Sequence, residues 1–179
     1  RPAEMAADQL AALLCARLCH DLVSPVSALG AALSVLDDEN SADMHEDAMD
    51  LVRDSSRQAQ AKLEFARLAY GAGGSAPATL DTPGLEKTPS RLLMNLCILA
   101  VESVPRGGKV TIEATETGGG ARIRIVAEGP RARLNADAVL ALEGQAPETG
   151  YDGRSIQPYF AGLMARNAGG RVSAHVSDE

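Results

Sequence analysis

From Met5 to Leu36, the residues Leu10, Leu14, Leu18, Leu22, Val26, Leu29, Leu33 and Leu36 recur every three or four positions. Side chains at that spacing share one face of an α-helix, so a long amphipathic helix is predicted. The run Asp37-Asp38-Glu39-Asn40-Ser41 is polar and able to turn. Ser41 or Asp43 is placed to cap a second helix, whose pattern continues through Met49, Val52, Ala59, Leu63, Ala66 and Tyr70. Residues 1–72 are therefore expected to form a helical hairpin. Two helices cannot enclose a core between them, so the apolar stripes are expected to pair with a second copy in a homodimeric four-helix bundle.

Gly71 to Pro83 is rich in Gly, Ala and Pro without periodicity, which predicts a linker at residues 73–83 and a second domain over 84–179. The second half has a different grammar. A helix around Ser90 to Val104 leads into Pro105-Arg106-Gly107-Gly108. Lys109 to Ala114 then alternates as a strand, and Ala121 to Ala127 alternates as its hairpin partner after Gly118-Gly119-Gly120. Asn135 to Leu142 predicts a short helix and Ser155 to Asn167 a longer one, which Gly169-Gly170 ends before an expected strand from Arg171 to Val176. The class is α+β, with helices layered on an antiparallel sheet.

Composition narrows the chemistry. A hydrophobic content of 45% suits a globular protein. No uninterrupted apolar run reaches about 18 residues and no basic segment precedes an apolar one, so neither a membrane span nor a signal peptide is predicted, and the expected location is cytoplasmic. A net charge of −7 argues against nucleic acid as a partner. Three cysteines, Cys15, Cys19 and Cys97, make an odd count, and the first two sit inside a helical pattern, which points to reduced thiols at small buried or boundary positions. Cys15, Cys19 and His20 read C-x-x-x-C-H, which departs from the C-x-x-C-H of haem attachment, and no distal set of metal ligands accompanies them.

His20-Asp21-Leu22-Val23-Ser24-Pro25 carries the most information. On a helical wheel His20 lies roughly 160–200° from Leu18 and Leu22, opposite the apolar stripe and facing solvent. Its neutral imidazole offers a nucleophilic nitrogen at physiological pH, and Asp21 is placed to hold the ring tautomer and assist proton removal during attack on a phosphoryl group. Pro25 removes a helical hydrogen bond and crowds the carbonyl of Asp21, so a kink is expected beside that chemistry. A surface His next to an Asp is ordinarily only a surface pair. The proline and the flanking pattern are what set this pair apart, whereas His45 and His175 have no comparable company and are expected at the surface.

The six residues resemble the H-box of two-component sensor histidine kinases. The longer run Leu13 to Val26 (LLCARLCHDLVSPV) is similar to the dimeric histidine phosphotransferases of the alphaproteobacterial cell-cycle phosphorelay. The resemblance implies that His20 is the phosphoacceptor beside the acidic Asp21; by position, Ser24 one turn later is a supporting candidate and Arg17, three residues earlier, is within reach of the phosphate. The resemblance also implies that the second domain is a histidine-kinase ATPase-like (Bergerat) α/β sandwich, and there the sequence departs from the kinase pattern. The second asparagine of the N-box falls at Leu99, which cannot hold a hard cation. The D-x-G-x-G box reads Ala127-Glu128-Gly129-Pro130-Arg131, losing the adenine-reading Asp to Ala127 and the last Gly to Arg131. Residues 150–154 do not reproduce the glycine-rich ATP lid, and Gly84-Leu-Glu-Lys87 runs straight into Thr88 where such domains carry a further strand and helix.

A relay without its own ATP site is the expected function. His20 takes a phosphoryl group from a receiver aspartate of a hybrid histidine kinase and passes it to response-regulator receivers, which by resemblance are a transcription factor and a proteolysis adaptor. No cofactor of its own is expected, because the receivers bring Mg²⁺. Arg122, Arg131 and Arg133 are candidates to face their acidic surfaces. The alternatives are an active sensor-type histidine kinase and a non-enzymatic dimeric scaffold that binds receivers.

Overall fold

The leucine spacing of the first segment is realised as helix α1, Ala7–Leu36, with Asp8 in its first turn, where a carboxylate complements the helix dipole. These bounds come from a computed structural model, which describes residues 4–71 and 87–177; the linker expected at 73–83 lies outside the described residues. Helix α2, His45–Tyr70, follows a short 3-10 turn at Glu39–Met44. Ser41 and Asp43 were the expected caps, and neither caps α2. Asp38 begins the 3-10 turn instead, accepting hydrogen bonds from the Asn40 backbone N–H at 3.0 Å and the Ser41 hydroxyl at 2.8 Å. Those bonds, the Asn40 backbone donor foremost, hold its carboxyl below the usual range. Met44 precedes α2 with no side-chain cap.

Two compact units divide the chain, Cys15–Gly71 and a second that takes in Arg1–Leu14 with Ala72–Glu179. In the first, α1 buries Arg17, Pro25 and Ala32 and α2 buries Ala48, Ser55, Ala66 and Ala69. These are mostly small residues, at spacings of eight and seven in α1 and of seven, eleven and three in α2, so each helix buries only a thin seam. Much of the predicted stripe stays outside it. Val26 is 55% exposed and Leu33 51%, and Val23, Met49, Leu51 and Leu63 join them. By length and composition alone α1 is apolar enough to cross a membrane. Its run is nonetheless broken by Arg17, His20 and Asp21, and the exposed apolar face supplies much of that character.

The second unit begins at a place that periodicity did not mark. Leu10, Leu13 and Leu14, in the first turns of α1, pack with Met5 against a core of Ala141, Ile156 and Tyr159, and the Met5 backbone N–H donates to the Tyr159 hydroxyl at 2.9 Å. The sequence boundary at residue 1 for the hairpin therefore differs from the compact unit, which starts at Cys15. Helix α3, Lys87–Ser103, is followed by strands β1, Lys109–Thr117, and β2, Gly120–Glu128. They pair antiparallel with Lys109 opposite Glu128 and Thr117 opposite Gly120, closing on a two-residue Gly118-Gly119 turn. Helices α4, Ala136–Leu142, and α5, Ile156–Asn167, complete the elements. Among the described residues the sheet has two strands. Among the described residues the strand expected from Arg171 to Val176 is not seen: the segment alternates in exposure but pairs with no described neighbour.

Helices α4 and α5 touch through glycine. A Cβ at Gly162 would strike the Leu142 carbonyl, and the same carbonyl accepts a hydrogen bond from Arg166 Nη1 at 2.9 Å. Asn135 caps α4 through its side chain, which accepts from the Asp137 N–H at 2.8 Å.

Candidate phosphoacceptor site

Three residues on one face of α1 meet at Asp21. Its Oδ2 accepts a hydrogen bond from Arg17 Nε at 3.0 Å, and its Oδ1 lies 3.3 Å from His20 Nδ1. The spacing explains the first contact, since residues i and i+4 are neighbours along a helix. The imidazole is open to solvent, with 72% of its side chain exposed, while the Arg17 side chain is only 10% exposed. A carboxylate can only accept, so the contact favours the tautomer with its proton on Nδ1, which in a neutral ring leaves the lone pair on Nε2. Arg17, expected to reach toward a phosphate, is turned inward onto Asp21. Ser24 is exposed on the following turn.

Pro25 stands inside α1 as expected and is buried. Having no N–H, it cannot donate to the Asp21 carbonyl four residues earlier. That carbonyl instead accepts from Lys62 Nζ on α2 at 2.7 Å. Lys62 was not singled out from the sequence. The orphaned carbonyl was foreseeable from Pro25, but a donor 41 residues away leaves no local pattern to read.

The other candidates fall elsewhere. Cys15 and Cys19 are exposed, contrary to the buried or boundary position expected of them, and Cys97 is half-buried, its thiol pushed up by burial. His175 is exposed as expected, whereas His45, at the start of α2, is half-buried with its Nε2 atom enclosed. Among the described residues no group of three or more His, Cys, Asp or Glu side chains is placed to hold a metal ion.

In the second unit, Asn95 on α3 is 1% exposed and its Nδ2 donates to the Arg91 carbonyl of its own helix at 2.9 Å. Leu99 lies one turn on, half-buried, and Ala127 sits half-buried near the end of β2. Gly129 meets Gly107 and Gly108 backbone to backbone, leaving no room for a Cβ on either strand end. Arg131 keeps a positive φ of 58°, the left-handed region that glycine favours, although it bears a long exposed side chain. At the positions where the resemblance implies adenine- and Mg²⁺-holding groups stand an alanine, a leucine and an arginine. Arg122 stands on β2 and Arg131 and Arg133 on the loop after it, all exposed.

The exposed His20 beside Asp21, with Pro25 further along the same continuous helix, is the candidate phosphoacceptor, and comparison with known proteins gives the class of the chain. Residues 45–179 match the family described as histidine phosphotransferase C-terminal domain, and the chain belongs to that family. It is a protein phosphotransferase of a phosphorelay. It is 35% identical over 202 aligned residues to the protein phosphotransferase ChpT of Brucella abortus (strain 2308), covering 99% of this chain and 95% of that protein. A bacterial phosphotransferase solved at 1.7 Å shares its fold with a TM-score of 0.85 at 32% identity, covering 99% of this chain and 96% of that one.

Proposed function

We propose that His20 receives a phosphoryl group from a receiver-domain aspartate of a hybrid histidine kinase and delivers it to the receivers of downstream response regulators. The observation that carries this reading is the contact of His20 Nδ1 with Asp21 Oδ1 at 3.3 Å on an otherwise exposed ring. With Nδ1–H held by the carboxylate, Nε2 attacks phosphorus. The P–N bond forms as the P–O bond to the receiver aspartate breaks, and that aspartate leaves as its carboxylate. The phosphorylated ring is cationic, and Asp21 stabilises it while the Nδ1 proton stays in place. Delivery to the next receiver is the same step reversed. The receivers supply Mg²⁺; Arg17 holds Asp21, and Ser24 is available to the phosphoryl group or to a partner.

The exposed apolar residues of α1 and α2 support a homodimer joined as a four-helix bundle, since a second copy would cover Val26 and Leu33. Asn95 turned to its own helix, with Leu99, Ala127 and Arg131 at the positions named above, supports a degenerate ATPase-like (Bergerat) domain retained for binding receivers. The exposed Arg122, Arg131 and Arg133 would steer acidic partners to it. A cytoplasmic place in cell-cycle control is the corresponding setting, in keeping with the resemblance to ChpT.

The test is transfer of label from a phosphorylated receiver to the full chain. An acid-labile, base-stable label is expected on the wild type and none on His20→Ala. Undiminished label on that variant would defeat the assignment. Labelling by Mg-ATP alone, with no receiver, would show an active kinase, and receiver binding without label would show a scaffold.

A further inference from the structure

Pro25 breaks the hydrogen-bond ladder of α1 one turn after His20, and the consequence falls on Asp21. Its carbonyl loses the backbone donor that residue 25 would supply. Asp21 is at the same time the residue whose carboxylate holds both His20 and Arg17. A carbonyl left to water in this turn would let the peptide plane tilt outward, as solvent-facing carbonyls of bent helices do. A tilt at Asp21 rotates its side chain and withdraws the partner that sets the His20 tautomer. Lys62 prevents this. Its ammonium crosses from α2 and donates to the Asp21 carbonyl at 2.7 Å, a short, charge-assisted bond.

We propose that Lys62 is a positioning residue for phosphotransfer: its ammonium replaces the donor that Pro25 removes, fixes the Asp21 turn, and so holds His20 with Nε2 free to attack. The proposal rests on His20 as the phosphoacceptor and adds a residue from the other helix of the hairpin. A water molecule would also satisfy the carbonyl, but it would not tie α1 to α2. Lysine does both, at the cost of ordering a long side chain. The arrangement also makes a specific demand of the sequence. If Lys62 acts only by supplying a missing donor, returning the N–H at position 25 makes it dispensable.

The experiment compares single-turnover transfer from a phosphorylated receiver to the full chain in the wild type, Lys62→Met, Lys62→Arg and the double variant Pro25→Ala/Lys62→Met. Receiver affinity is measured alongside, and ¹⁵N spectra of His20 report its tautomer. Lys62→Met is expected to slow transfer about tenfold, the size of one charge-assisted hydrogen bond, with receiver affinity unchanged. Its spectrum should move from the Nδ1–H tautomer toward a mixture. Lys62→Arg should keep most of the rate, and the double variant should recover both rate and tautomer. Wild-type transfer by Lys62→Met with an unchanged spectrum overturns the proposal. So does rescue by arginine without rescue by Pro25→Ala, which would make Lys62 a charge acting on the phosphoryl group. Should Lys62→Met fold poorly, the double variant decides alone: a near wild-type rate supports the proposal and a tenfold loss overturns it. A wild type that takes no label would remove the phosphoacceptor reading instead, and the tautomer comparison would still test the placement of Lys62.

Discussion

Asp21 is the residue on which the contacts around His20 converge. One oxygen takes Arg17 and the other faces His20, so its charge is shared between holding the helix face together and holding the ring. Replacing it by asparagine keeps the shape and removes the charge. Asp21→Asn is expected to slow transfer by about tenfold to a hundredfold, because a charge-assisted hydrogen bond to the cationic phosphorylated ring becomes a neutral one. Single-turnover transfer from a phosphorylated receiver measures this, with circular dichroism as the check on helicity. An unchanged rate would leave Asp21 only its pairing with Arg17. The histidine and its neighbour were legible in the sequence because three local facts coincide: the wheel position of His20, the adjacent acid and the proline five positions on. The inward turn of Arg17 was not legible, since an arginine three residues before His20 reaches the ring's surroundings or Asp21 equally well by spacing alone.

At the scale of elements, α5 begins on a turn organised by Asp152. Its Oδ1 accepts from the N–H groups of Arg154 and Ser155, both at 2.8 Å, and from the Ser155 hydroxyl at 2.9 Å. These bonds, the Ser155 backbone donor first, hold its carboxyl below the ordinary 3.8. A carboxyl depressed in the folded state contributes stability that is complete above the unfolded value and fades as the pH falls through the folded one. Asp152→Ala is accordingly expected to cost about 1 kcal/mol at neutral pH, the worth of a capping side chain. The difference from wild type should shrink below the ordinary carboxylate value, as urea unfolding at pH 7 and pH 3 can measure. A pH-independent difference would mean that the carboxylate charge is not what the turn uses. The helices themselves were readable, because α1, α2, α4 and α5 follow apolar spacings that Gly, Pro or polar runs end. The strand at Arg171 to Val176 was not: alternation says that a segment suits a sheet, and only a neighbour with free hydrogen-bonding groups makes it a strand.

For the whole molecule, the exposed apolar residues of the hairpin bear on the proposed assembly. The proposed dimer would bury Val26 and Leu33 against a second copy. Each apolar side chain of that size contributes roughly 1.5–3 kcal/mol when fully buried, and a glutamate there would instead have to be desolvated. The double variant Val26→Glu/Leu33→Glu is expected to run as a monomer by light scattering at concentrations where the wild type is a dimer, with its helix content retained. A wild type that is already monomeric would leave the apolar face to some other partner. Periodicity marked Val26 and Leu33 on α1 and Met49 and Leu63 on α2, which are exposed, but could not say what covers each part of the stripe. Leu10, Leu13 and Leu14 belong to the same run as Leu18 and Leu22, yet they pack with the residues of α4 and α5.

That sharing of α1 between two cores makes the chain resistant to dissection. A fragment starting after the hairpin would carry Tyr159 without the Met5 N–H on its hydroxyl, and Ile156 and Ala141 would be without the leucines packed around them. Its raw apolar face would invite aggregation or complementation by any peptide bearing the missing turns. Conversely, a hairpin beginning at Cys15 would lose nothing of its own seam. The first turns of α1 are therefore part of the core of the second unit, and cutting the chain after the hairpin would remove them.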